Sequence, residues 1–394
     1  MGIREGYQYM KTSSRLGILY RTLGMAGITA AAVGLLLESE RVIQTGRNAA
    51  ALCLQLLIPS LFPFFVVSAL TVQLGYAAAL ERVFAPPMRR LFRVNGRCAA
   101  AFLLGAVGGS PVGARTAIAL YKEGACSRSE AERLLAFCSN SGPAFVLGTV
   151  GSAVFGSGAA GLRLYTAHIL ASVLIGIGFR FWRYADGPSP EGQGPHGDPP
   201  GFASSLVTSV NSAVSGIGKL CAFVVLFAVL TELLFASGLL SRLAQLAGTL
   251  GADIGLTTPM AEALLRGFLE VTSGLWSLAG VQGNLTAHLA LAACMLGWAG
   301  LCVHCQVLTF LEGSGLSAKP YLAGKLIQGP LSAVLTALFV RLMPFPAETA
   351  ALLTQHLGIL AHARPAAVFL SALTGSLAVL WAAAVMKGAG EVNG

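Results

Sequence analysis

Charge is what this chain has least of. Of its 394 residues only 11% are Asp, Glu, Lys or Arg, against 55% hydrophobic residues and a mean hydropathy of +0.71; soluble domains carry roughly 25% charged residues. That shortage excludes an ordinary water-soluble fold and leaves an integral membrane protein whose first partner is the lipid bilayer. No P-loop, Gly-x-Ser-x-Gly or His-Glu-x-x-His pattern is present. ATP-driven transport and the common hydrolase chemistries therefore have no residues to run them, and no enzymatic activity is expected. Eight cysteines lie mostly in or beside apolar runs rather than at disulfide-framework spacing, where Cys serves as a small buried hydrophobe. Cys302, His304 and Cys305 invite a metal reading, but no second Cys or His group follows at zinc-site spacing, so neither a metal nor a cofactor is expected. The net charge of +9 sits at the ends of apolar runs, where it orients a membrane protein and gives no reason to expect nucleic acid.

What is present is a series of apolar stretches of membrane-spanning length. Spans are expected at about 18–37, 50–74, 134–156, 162–182, 217–237, 288–311, 321–343 and 366–386, each close to the ~20 residues that cross a bilayer as a helix. Residues 26–37 run into Glu38, Ser39 and Glu40 without a convincing cleavage site, so the first span is expected to stay. Two more apolar stretches, 98–121 and 259–280, are interrupted by Gly and polar residues, and neither half of either could cross alone; re-entrant hairpins are predicted there. The expected fold is an all-α polytopic membrane protein with about eight transmembrane helices and two re-entrant hairpins. With both termini cytoplasmic, eighteen of the 26 Lys and Arg residues, Lys325 among them, fall on the cytoplasmic face and six on the other, while Arg115 and Arg266 lie within the hairpins. That bias agrees with the topology. Ser127 and Glu130 have capping-box spacing and predict a helix leading into the third span.

The two halves of the chain resemble each other weakly. A shift of 160 residues lays Leu70, Thr71, Leu74, Leu80 and Arg82 on Leu230, Thr231, Leu234, Leu240 and Arg242. Slightly different shifts bring Ala101 and Gly105 onto Ala263 and Gly267, and Gly142 onto Gly300. Each half then holds one span, one hairpin and two spans. An odd number of full crossings sends the second half into the membrane from the opposite side, which is the inverted-repeat plan of many secondary transporters. The expected organisation is a tail and first span over 1–45, a first repeat over 46–183 and a cytoplasmic Pro/Gly-rich linker over 184–201. An inverted second repeat follows over 202–343, then a C-terminal loop and span over 344–394.

The interrupted segments carry the functional expectation. In "LLGAVGGSPVGARTAIALYKEG" a helix stops at Gly108 and Gly109, restarts at Ser110 and Pro111, and carries Arg115 one turn later. A break in hydrocarbon strands backbone N–H and C=O groups, which is tolerable only where protein or a wet cavity satisfies them. Ser110 is expected to cap the second half-helix, with Pro111 at its first position and its positive end facing that cavity. Asn140 and Ser141 are expected to cap the third span, and Arg266, Glu270, Thr272, Ser273, Trp298, His304 and Gln306 to supply polar groups at equivalent places in the second half. Arg115 and Arg266 suit an anion. The bland alternatives are glycines that merely allow close helix packing, and an Arg115 that snorkels or pairs with Glu270. Glu232 and His304 make proton coupling conceivable, beside ordinary structural roles for both.

At "LIPSLFPFFVVSAL", "GGSPVGARTAIALYKEG", "SEAERLLAFCSNSGPAFVLGTVG", "FLEVTSGL" and "GLCVHCQVL", the sequence resembles the YlbJ family of sporulation integral membrane proteins, over about residues 20–345. The family contains the Gate, or nucleoside-recognition, type of membrane repeat. The resemblance implies expression in the mother cell of an endospore former, location in the outer forespore membrane, and passage of dipicolinic acid, alone or with calcium, toward the forespore. A homo-oligomer is compatible with it. A nucleoside or other small-metabolite transporter and a non-transporting spore-envelope scaffold are the competing expectations.

Overall fold

The computed structural model describes residues 15–183 and 201–345. The expected span at 366–386, nearly all of the linker and both termini lie outside the described residues. Every described element is helical. The chain opens with α1 (Arg15–Leu37), bends by 94° at Glu38 and continues as α2 (Ser39–Leu52), a π-helical turn (Cys53–Leu57) and α3 (Ile58–Gln73). The stretch expected to link the first two spans is thus helical itself, because "SERVIQTGRNAAAL" has polar residues on one face and small apolar ones on the other. Next come α4 (Ala77–Pro87), α5 (Ala99–Gly108), α6 (Val112–Lys122) and α7 (Arg128–Leu135). A π-helical segment (Ala144–Val154) and α8 (Gly158–Phe179) complete the first half.

The second half repeats the succession. A long helix, α9 (Phe202–Ala236), corresponds to α3, and α10 (Leu239–Leu250) to α4. The broken pair α11 (Thr258–Leu269) and α12 (Val271–Ala279) corresponds to α5 and α6; α13 (Leu285–Trp298) and α14 (Gly300–Leu311) to α7 and the π segment; α15 (Lys319–Leu342) to α8. Among the described residues four stretches are long and apolar enough to cross a bilayer, Gly158–Phe179, Phe202–Ala236, Leu285–Leu311 and Lys319–Leu342, and the bent pair Thr22–Leu37 and Ser39–Gln55 makes a fifth if counted as one span. The span expected at 134–156 is not one helix. After α7 the chain leaves helical geometry near Ser139 and resumes at Ala144, because a Gly and a Pro at 142 and 143 follow two residues that prefer side-chain bonds to helical ones.

The faces are those of a protein dissolved in lipid. On α15 the residues turned inward are small or polar: Gly324, Lys325, Gln328, Gly329, Ser332 and Thr336 are buried, while Leu326, Ile327 and Val334 face outward. Lipid gives apolar side chains no reason to hide, so helices associate through small residues and satisfied polar groups. Both hairpins depend on this. A Cβ on Gly113 would stand 2.8 Å from the Gly105 Cα and 1.9 Å from the Cys138 carbonyl oxygen, and one on Gly274 would stand 2.2 Å from the Gly267 Cα. Gly105 and Gly267 were matched by the sequence repeat, and each marks the close crossing within its own hairpin. The halves also interlock. The core around the first hairpin includes Val307, Leu311 and Tyr321 of the second half, and the core around the second hairpin includes Val146, Val150 and Leu164 of the first.

Candidate functional site

Four helix breaks meet in pairs. In the first half Gly109 turns the chain at φ +83° between α5 and α6, and a Cβ there would come within 3.0 Å of the Gly142 nitrogen in the unwound stretch. In the second half Ala299 and Gly300, at φ 73° and 84°, break α13 from α14, and a Cβ on Gly300 would lie 3.1 Å from the Val271 nitrogen at the break between α11 and α12. Ser141 joins the two pairs by donating its hydroxyl to the Leu296 carbonyl at 3.4 Å. Around this crossing lies a cavity of about 160 Å³. Leu61 and Phe64 of α3 and Leu220 and Val224 of α9 form its apolar walls, and Ser110, Ser141, Thr149, Glu270, Thr272 and Gln306 supply its polar ones.

Glu270 is the charged group of the cavity wall. It caps α12 by accepting from Thr272 N at 3.0 Å and from Ser273 N at 2.7 Å, and it receives the Ser273 hydroxyl at 2.6 Å. A carboxylate at a helix N-terminus offsets the dipole and satisfies amides that the break would strand. Gln306 donates to Cys302 Sγ at 3.3 Å, which leaves its Oε1 buried without a partner; the Thr149 hydroxyl is likewise unpartnered. Buried groups left open in this way call for a reason, and a ligand is one. Among the described residues no Lys or Arg lines the cavity.

Five expected site residues therefore line one cavity: Ser110, Ser141, Glu270, Thr272 and Gln306. The other five stand behind its wall. Arg115 reaches α9, donating to Ser212 Oγ at 2.5 Å and lying 5.0 Å from the centre of the Phe65 ring, with Nη1 buried and unbonded. It does not pair with Glu270. Arg266 pairs with Glu232 at 3.4 Å and lies over Phe235, 3.7 Å from the ring centre; Arg41 approaches the same carboxylate at 3.8 Å. Glu232 is thereby engaged by two guanidinium groups. Ser273 is taken up by Glu270, and His304 Nδ1 lies 2.9 Å from the Tyr321 hydroxyl. Trp298 donates to the Phe268 carbonyl at 3.0 Å and stacks on the Phe268 ring, tying the second hairpin to the break beside it.

The expected caps are corrected. Ser110 does not cap α6: the N-cap is Pro111, with no side-chain bond, and Ser110 Oγ pairs with Ser139 Oγ at 2.7 Å. Asn140 and Ser141 do not cap the π segment, whose N-cap is Pro143. The Asn140 amide instead donates to the Phe137 carbonyl at 3.0 Å and to Ser172 Oγ at 3.2 Å, and Ser141 N donates to His168 Nε2 at 3.0 Å. Both breaks put their polar side chains onto neighbouring elements that a linear sequence does not reveal. The capping box at Ser127 and Glu130 forms as expected.

The group that sequence reasoning missed lies beneath the break at residues 139–143. Lys325, counted among the cytoplasmic charges, is 1% exposed on α15, where its ammonium meets the Ser139 carbonyl and the Gln328 Oε1 at 2.7 Å. A charged residue four positions into an expected span was the available signal.

Residues 54–177 match the Gate family, described as nucleoside recognition. The chain is 28% identical over 313 residues to the sporulation integral membrane protein YlbJ of Bacillus subtilis (strain 168), covering 75% of this chain and 76% of that protein. A solved structure of a doubly substituted CNTnw in an outward-facing state is similar over 87% of this chain and 94% of its own, with 16% identity and a TM-score of 0.38.

Proposed function

We propose that the chain, which is similar to the sporulation integral membrane protein YlbJ over three quarters of its length and matches the Gate family over residues 54–177, carries dipicolinate from the mother cell across the outer forespore membrane. The observation that carries transport is the cavity where four breaks cross. Each backbone group stranded in hydrocarbon costs several kcal/mol unless protein or water satisfies it. Four breaks converging on one cavity serve a passing solute, whereas a scaffold has no use for them. In this reading Ser110, Ser141, Thr272 and Gln306 contact the solute, while Arg115 acts from outside the wall.

The wall chemistry refines the substrate. Glu270 and the open Gln306 Oε1 both accept hydrogen bonds, and no cation stands among the lining residues. A bare dianion meets repulsion there, so dipicolinate travels with its charge compensated, as the protonated acid or with calcium. The same acceptors favour a second reading, a nucleoside or another metabolite that presents N–H and O–H donors.

Uptake of dipicolinate into proteoliposomes holding the purified protein tests these readings, with and without calcium and with nucleosides as competitors. Saturable, calcium-enhanced or acid-enhanced uptake that nucleosides leave unchanged is expected. Inhibition by nucleosides would turn the assignment to the second reading, and no solute movement by monodisperse protein would return the scaffold. Arg115→Gln is expected to lower uptake at least tenfold with membrane insertion intact; unchanged uptake would remove Arg115 from the site.

A further inference from the structure

Lys325 is a fully buried amino group among the spans, and among the described residues it forms no ion pair. The titratable groups near it are His168 of α8, His304 of α14, Tyr321 of its own helix, and Cys138 at the start of the unwound stretch. None of these is a carboxylate. Its ammonium donates to the Ser139 carbonyl and to Gln328 Oε1, and Gln328 passes its own amide on to Asn140 Oδ1 at 2.9 Å. Asn140 then bonds Phe137 O at 3.0 Å and Ser172 Oγ at 3.2 Å. Two consecutive residues of the break are thus held from α15, the Ser139 backbone directly and Asn140 through Gln328, and the Ser139 hydroxyl in turn meets the Ser110 hydroxyl of the cavity wall at 2.7 Å.

Carbonyls freed by unwinding in a membrane attract cations, and in secondary transporters they commonly bind the coupling Na⁺ or H⁺. Here a side-chain ammonium with three donors is already on that carbonyl. We propose that Lys325 is the resident cation of the break at residues 139–143: it fills the place a soluble coupling ion would take, and it positions Ser139 and hence Ser110 for the solute. It is a positioning residue, and its role rests on the transporter reading above. No sodium is required at this position.

The test compares wild type with Lys325→Ala, which leaves room where the side chain stood, and Lys325→Met, which fills most of that volume without charge. Amide hydrogen exchange of residues 137–144 is read in sodium and in N-methylglucamine buffers, with and without methylammonium, beside dipicolinate uptake. Wild-type protection is expected to be the same in both buffers. Both variants should exchange at least tenfold faster over this stretch and lose uptake, and methylammonium should restore protection in the Ala variant but not in the Met variant. Protection in wild type that needs sodium would overturn the proposal, as would a Met variant protected like wild type, or an Ala variant indifferent to methylammonium. Monodispersity of the Met variant controls for folding; if neither variant folds, the sodium comparison on wild type still decides. If wild type moves no dipicolinate, the transport reading fails while the exchange arm still reports on the lysine.

Discussion

At the scale of single residues the site is defined by where polar atoms find partners. Glu270 serves the backbone of α12 and the cavity at once, since its two oxygens accept three bonds while the residue lines the wall. Hydrogen bonds to a charged group contribute about 1.5–3 kcal/mol each where buried, so Glu270→Gln should weaken the start of α12 and alter what the cavity accepts. Uptake is expected to fall about tenfold or more, with the protein still inserted and monodisperse; Glu270→Asp, which keeps the charge on a shorter arm, should fall less. Equal uptake by Glu270→Gln and wild type would take Glu270 out of the mechanism. Arg266 shows the opposite situation. Its charge is met by Glu232 and its face by Phe235, which leaves it little to offer a passing anion.

At the scale of elements the two hairpins stand or fall on glycine. Gly113 and Gly274 let paired half-helices touch through backbone atoms, and the atoms a Cβ would meet are a carbonyl oxygen at 1.9 Å in one case and an α-carbon at 2.2 Å in the other. Overpacking costs about 1–3 kcal/mol even where flexible side chains can yield, and backbone yields less. Gly113→Val and Gly274→Val are therefore each expected to lower the thermal midpoint of the detergent-solubilised protein by several degrees or to abolish the folded peak. Gly24→Val, on the open face of α1 where nothing lies within 4 Å, should do neither. Similar midpoints for all three would show that the hairpin crossings do not hold the fold together. The broken helix at 139–143 was harder to foresee. Its Asn and Ser residues have the types of caps, yet the Asn140 side chain turns sideways to α8 and α15 and the Ser141 hydroxyl to α13, because a partner already buried beside the break serves them better than their own backbone.

At the scale of the whole molecule the repeated order of helix, broken hairpin, broken helix and long helix makes a prediction about sides. If the second half enters from the opposite face, the loop between α4 and α5 and the loop between α10 and α11 open to opposite sides of the membrane. Single cysteines at Arg93 and Asp253, in a background whose native cysteines are replaced, should react with an impermeant thiol reagent from opposite sides of oriented vesicles. Labelling from one side alone would break the inverted relation. The sequence by itself determined that this is an all-helical membrane protein and that two of its apolar stretches are broken. These follow from local quantities: the length of apolar runs, the conformational bias of Gly and Pro, and the spacing of charge. The same local reading placed Ser110, Ser141, Glu270, Thr272 and Gln306 near a break, and all five line one cavity. Only the tertiary structure decided which polar groups face that cavity and which are consumed behind it. Arg115 sits one turn from a break and looks inward on a helical diagram, yet Ser212, 97 residues further along, takes its guanidinium. Lys325 counted as a flanking charge until α15 packed its inner face against a carbonyl 186 residues earlier in the chain. In lipid, where burial does not sort polar from apolar, the partner each charge finds across the fold decides its role.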